Sequence, residues 1–102
     1  MERTPANERQ HLFLELEDEV NKDYASIVIN AWAMVENAKD RKVSGPKLKS
    51  LNAECAGMEK AALLVIRNHE YLEPGLTPEK RLRVDKERYL RAREKDKADE
   101  QL

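Results

Sequence analysis

The sequence predicts an all-α fold, a long antiparallel two-helix hairpin of coiled-coil type followed by a charged third helix, and three observations carry this expectation. Proline and glycine punctuate the chain in three places, and each break precedes a helix-start signal: Thr4-Pro5, Ser44-Gly45-Pro46 and Thr77-Pro78 set a hydroxyl residue just before a proline of the first turn. Between the breaks, apolar residues recur at spacings of three and four. Nowhere does a period of two run between turn signals, so no strand is expected.

Helix 1 is read over about residues 5–41. Its stripe runs Phe13, Leu16, Val20 and then Tyr24, Val28, Ala31, Val35 and Ala38, with one shift of phase near Asp23. Helix 2, about 46–72, has the cleanest period: Leu48, Leu51, Cys55, Met58, Ala62, Val65, His69 and Leu72. Folding the chain about Ser44 brings residue 32 near 56 and residue 19 near 69. Glu73-Pro74-Gly75-Leu76 makes a tight connection to helix 3, about 78–97, whose apolar stripe is thin: Leu82, Tyr89, Leu90 and Ala92.

The 102 residues make one domain. Surface scaling of their 11.8 kDa gives roughly 17,000 Å² unfolded and about 5,900 Å² for a compact monomer. A continuous helix 1 would span about 55 Å at about 1.5 Å per residue, so an elongated molecule is expected. Apolar residues from Ile27 to Val35 wrap the whole circumference of helix 1, and Ala61 to Ile66 do the same on helix 2. One hairpin partner covers one side of each, so the bundle is expected to be completed by oligomerisation. Ala53, Gly57 and Ala61, four apart on a separate face of helix 2, are the interface candidates there; Ile29, Trp32 and Ala33 are those on helix 1. A glycine inside a helix costs about 1 kcal/mol relative to alanine. Gly57 therefore implies either an interface or a niche for the Trp32 indole.

Composition excludes several functions. The longest nearly apolar run, Ile27 to Val35, is far below the ~20 residues of a membrane span. The start Met1-Glu2-Arg3-Thr4-Pro5 lacks a secretory signal, so the expected location is cytoplasmic. Three glycines, at 45, 57 and 75, do not make a phosphate loop. The single cysteine, Cys55, lies on the apolar seam between Glu54 and Glu59 and is expected to be a structural thiol.

No catalytic constellation emerges. Ser26, Ser44 and Ser50 have no spacing to the two histidines that suggests a nucleophile and its base. All-helical nucleotide pyrophosphatases hold magnesium on a Glu-x-x-Glu and a later Glu-x-x-Asp, and Glu36-Asn37-Ala38-Lys39 breaks the second half of that pattern. Glu8-x-x-His11, with Glu15, Asp18, Glu19 and His69, resembles the donor chemistry of di-iron bundles. Ile66 stands where the second helix of such a site needs a glutamate. WXG-type secreted hairpins share the length and topology, but Ser44-Gly45-Pro46 replaces their Trp-x-Gly.

Charged residues make up 38 % of the chain, 19 basic against 20 acidic. Their interleaving fits helices laced by salt bridges. Helix 3 alone is asymmetric: from Glu79 to Lys97 nine basic residues face five acidic, and Arg81, Arg88, Arg91 and Lys95 form one stripe. Such a stripe suits phosphates or an acidic protein. The expected function is a non-enzymatic protein-binding module without cofactor. Its partners would be a second copy of the chain and another protein that it regulates or inhibits. The alternatives are a nucleic-acid-binding regulatory or packaging factor of the kind phages carry, using the basic stripe, and a carboxylate/histidine metal-binding bundle.

Overall fold

Asparagine starts the first two helices. Asn7 and Asn21 both lie in extended backbone, and their side chains accept the N–H groups of Gln10 and Tyr24, each at 2.8 Å. This satisfies a backbone donor that a helix start otherwise leaves orphaned. A computed structural model describes residues 4–67 and 72–100. Over these the chain forms α1 (Glu8–Glu19), α2 (Lys22–Asp40), α3 (Gly45–Ile66) and α4 (Pro78–Glu100), with no strand among the described residues.

The expected continuous helix over 5–41 is thus two helices. It starts at Glu8 rather than Pro5 and breaks at Val20-Asn21, where Val20 leaves helical dihedrals while still donating to the Leu16 carbonyl at 2.9 Å. The break coincides with the shift of phase near Asp23. Because α1 folds back on α2, the molecule measures 39 × 36 × 24 Å with a radius of gyration of 14.4 Å. A compact chain of this length has about 13 Å, so the expected elongation is corrected.

α2 ends in a six-to-one turn: Lys42 takes φ 61°, its N–H donates to the Lys39 carbonyl, and that of Val43 donates to the Ala38 carbonyl at 3.0 Å. Ser44 makes no side-chain cap on α3. α3 ends at Ile66, short of the expected 72; Asn68 to Tyr71, and with them His69, lie outside the described residues. At Glu73-Pro74-Gly75-Leu76 the Leu76 N–H donates to the Glu73 carbonyl, and Gly75 takes the φ of 82° that a type II turn demands. Thr77 caps α4 through the Lys80 N–H, and the helix runs to Glu100 instead of stopping near 97.

The apolar core joins Leu12 and Leu16 of α1, Tyr24, Val28, Trp32 and Val35 of α2, Cys55, Ala62 and Ile66 of α3, and Tyr89 of α4. α2 lies along α3 and supports α1 on another side. Within the single chain the circumference from Ile27 to Val35 is only partly covered: Ile27, Ile29, Ala33 and Met34 are half-buried and Asn30 is exposed. On α3, Leu64 is 64 % exposed. α4 does cover the other helices, contrary to its thin apolar stripe. Three of its four buried residues, Asp85, Arg93 and Asp96, are charged, the fourth being Tyr89.

Candidate functional site

Helices carrying this many charges must either solvate them or pair them, and α4 pairs them inward. Asp85, fully buried, accepts from the Tyr24 hydroxyl at 2.7 Å, the Arg81 Nε at 2.8 Å and the Arg88 Nη1 at 3.1 Å. Arg81 continues to Glu19 at 2.7 Å, and Arg88 reaches Glu19 at 3.0 Å and Glu15 at 2.6 Å. Burial works against ionising Glu19, but hydrogen bonds from Arg88 and Arg81 outweigh it and hold its carboxyl below the usual range. Burial next to Asp85 drives the Tyr24 hydroxyl far up, so it keeps its proton and donates it to Asp85.

Two further clasps hold the rest of α4. Asp96 receives the backbone N–H groups of Glu8 and Arg9 and the Arg9 Nε at 2.7 Å, placing a carboxylate on the positive start of α1. Arg93, buried at 4 % exposure, donates to the Tyr89 hydroxyl, Asn37 and Asp40, while Lys97 also reaches Asp40.

The basic stripe is therefore not an outward face. Arg81 and Arg88 are committed to Glu15, Glu19 and Asp85; of the four candidates, Arg91 and Lys95 remain exposed, and Lys95 lies 3.5 Å from Glu8. Glu15 and Glu19 of the expected metal cluster are spent on the same arginines, and His11 pairs with Glu15 at 2.9 Å. Among the described residues no group of three or more histidine, cysteine or carboxylate side chains is arranged to hold a metal ion, and His69 lies outside them.

These clasps depend on pH in a defined direction. Glu19, Asp40 and Asp96 all have their carboxyls lowered, from ordinary values of 4.5, 3.8 and 3.8: Glu19 by its arginines, Asp40 by Lys97 and Arg93, and Asp96 by the Glu8 N–H and Arg9 against its own burial. A depressed carboxylate stabilises fully above its unfolded value and loses that contribution as pH falls through the folded one. The thermal midpoint is expected to be flat above pH ~5 and to fall steadily towards pH ~2. A midpoint unchanged between pH ~6 and ~3 would contradict the clasp.

The interface candidates divide by side. Trp32 is buried, its indole N–H donating to Glu59 at 2.9 Å and its ring centroid 5.8 Å from that of Tyr89. Ile29 and Ala33 are half-buried against the core. Ala53, Gly57 and Ala61 are exposed, and a Cβ built on Gly57 would meet nothing within 4 Å. Gly57 therefore does not house the indole, and of the two expectations for this glycine the niche for Trp32 is corrected. Ser50, Ala53, Gly57, Ala61 and Leu64 share the outer face of α3, an exposed strip without charge flanked by Glu54 and Lys60. Spacing already marks Ala53, Gly57 and Ala61 of this strip; only the fold shows that no other helix among the described residues covers it.

A cleft of about 300 Å³ opens between α2, α3 and α4, walled by Trp32, Val35, Cys55 and Leu90 with Lys39 and Lys86 at its rim. The Cys55 thiol on its wall is pushed up by burial and by Glu59, which makes it a poor nucleophile. No helix among the described residues is long and apolar enough to cross a membrane. Set against family models, curated proteins and solved structures, the chain matches none.

Proposed function

We propose that the chain is a non-enzymatic helical docking protein that pairs with a second copy of itself through the outer face of α3, the α2–α3 coiled-coil hairpin forming the centre of the completed bundle. A single observation carries this reading: in a chain with 38 % charged residues, one strip of the outer face of α3, between Glu54 and Lys60, stays uncharged from Ser50 to Leu64. That strip is about 21 Å long at about 1.5 Å per residue, and its small residues let a second helix approach closely. The exposed surface of 7096 Å² exceeds the roughly 5,900 Å² expected of a compact monomer, which favours a further buried face. The free surface of the assembled pair would serve the other protein that the chain regulates. Nucleic-acid binding is the weaker reading, since Arg81 and Arg88 are held by carboxylates.

Light scattering coupled to size exclusion tests the pairing. Wild type is expected to elute as a dimer whose thermal midpoint rises with protein concentration, and Gly57→Leu as a folded monomer whose midpoint does not depend on it. Gly57→Ala gives the opposite signature in an unpaired helix, where it should add about 0.5–1 kcal/mol through helix propensity alone. A wild-type monomer at high micromolar concentration, stabilised by Gly57→Ala, would overturn self-association.

A further inference from the structure

We propose that α4 is a detachable arm, clasped to the other three helices by charge, and that its release bares the Trp32 cleft while α1, α2 and α3 stay folded. This inference does not rest on the pairing of α3. The two kinds of helix contact in the molecule differ in chemistry. α2 and α3 meet through Val28, Trp32, Val35, Cys55, Ala62 and Ile66, and non-directional apolar burial of that kind is untouched by screening. α4 brings Tyr89 and half-buried Leu82 as its apolar contribution to the core. Its remaining anchors are polar, most of them ionic, and reach every other helix: Arg81, Arg88, Lys95 and Asp96 to α1, Asp85 to the Tyr24 hydroxyl of α2, Arg93 and Lys97 to α2, and Lys86 to Glu59 of α3 at 3.6 Å.

Desolvation cancels much of the attraction in a buried ion pair, and the exposed pairs are weakened by salt. Docking of α4 is thus the contact of the fold that rests most on charge, and its part-exposed outer pairs, Arg81 and Arg88 with Glu15 and Glu19 and Lys97 with Asp40, are the ones that salt screens. Helicity of α4 does not depend on docking. Thr77 caps it, Pro78 opens it, 23 residues give it length, and Asp85 pairs with Arg81 and Arg88 at spacings of four and three within it. Pro74-Gly75 precedes it as a tight turn about which an intact rod can swing. Tyr89, Lys86 and Leu90 cover Trp32 and the cleft beside it, so leaving the dock exposes the one tryptophan of the chain.

The test is acrylamide quenching of Trp32 in the full chain, read beside far-UV ellipticity, at ~0.1 M and ~1 M NaCl, where the Debye length shrinks from about 10 to about 3 Å. The quenching constant is expected to rise about threefold while ellipticity is retained. Glu15→Gln/Glu19→Gln removes the two outer carboxylates, each 40 % exposed, and should give the high-salt quenching already at the lower salt. Lys49→Gln, on the exposed side of α3, should change neither. Quenching that ignores salt in both wild type and the double variant would overturn the proposal. So would Trp32 exposure that tracks loss of ellipticity in a single transition.

Discussion

Trp32→Ala should destabilise the protein by about 3–5 kcal/mol, the largest effect expected of any single side chain here. The indole is 1 % exposed, it stacks obliquely on Tyr89, and it holds the Glu59 carboxylate through its N–H. Truncation removes the contact that α2, α3 and α4 share and merges the void with the adjoining cleft of about 300 Å³. Water can enter a space that already opens outward, so the cost should lie toward the lower end of the range. Trp32→Phe keeps most of the ring volume and forfeits the hydrogen bond, for about 1 kcal/mol plus the lost packing. Denaturant melts followed by ellipticity measure both, because the fluorescence probe goes with the residue. An alanine variant within about 1 kcal/mol of wild type would mean that α3 and α4 do not close on Trp32.

Asp85→Asn, a change of one oxygen for an amide nitrogen, should cost about 3 kcal/mol. Its carboxylate is fully buried and answers three donors, the Tyr24 hydroxyl, Arg81 and Arg88. Breaking a buried pair by neutralising one partner leaves uncompensated charge, which typically costs about 3–5 kcal/mol. Arg81 and Arg88 are 15 % and 25 % exposed and keep Glu19, which places the expectation at the lower limit. Detachment of α4 sets a ceiling: once the arm leaves, both arginines regain water and the penalty stops growing. The variant should therefore show raised Trp32 quenching before it shows a lowered global midpoint. Asp18→Asn, exposed on α1, serves as the control and should stay within about 0.5 kcal/mol. Equal stabilities for the two variants would show that Asp85 is not the anchor of α4.

Helix content was readable from local signals, because a helix start needs only a cap, a proline and an apolar period within a few residues. Thr77-Pro78 worked in that way, as did the turn at Pro74-Gly75. Asn7 and Asn21 carry an equally good capping side chain, but no proline follows either to mark it as a start. Residue type alone does not decide the matter: Asn30, Asn37 and Asn52 lie inside helices. What singles out Asn21 is the pairing it permits. Breaking there turns Tyr24 inward to meet Asp85 of a helix more than sixty residues away, and this contact exists only after α4 has docked.

The charges of α4 mark the same boundary more sharply. On a helical wheel Arg81, Arg88, Arg91 and Lys95 form one stripe whether that stripe faces water or a row of carboxylates. In a solvated helix the pairing of Arg81 with Asp85 at a spacing of four is worth only a few tenths of a kcal/mol, so the local pattern does not reveal that Asp85 is buried. Local signals suffice to make the chain helical and to place the start of α4, since both follow from backbone capping and an apolar period regardless of neighbours. The meeting of the helices is what folds α1 back, spends Arg81 and Arg88 on Glu15, Glu19 and Asp85, and leaves the Ala53–Gly57–Ala61 face bare. The partner of a charge, and the cover over an apolar face, are set by which helices meet, and that choice is made by the summed burial of the whole chain rather than by any segment of it.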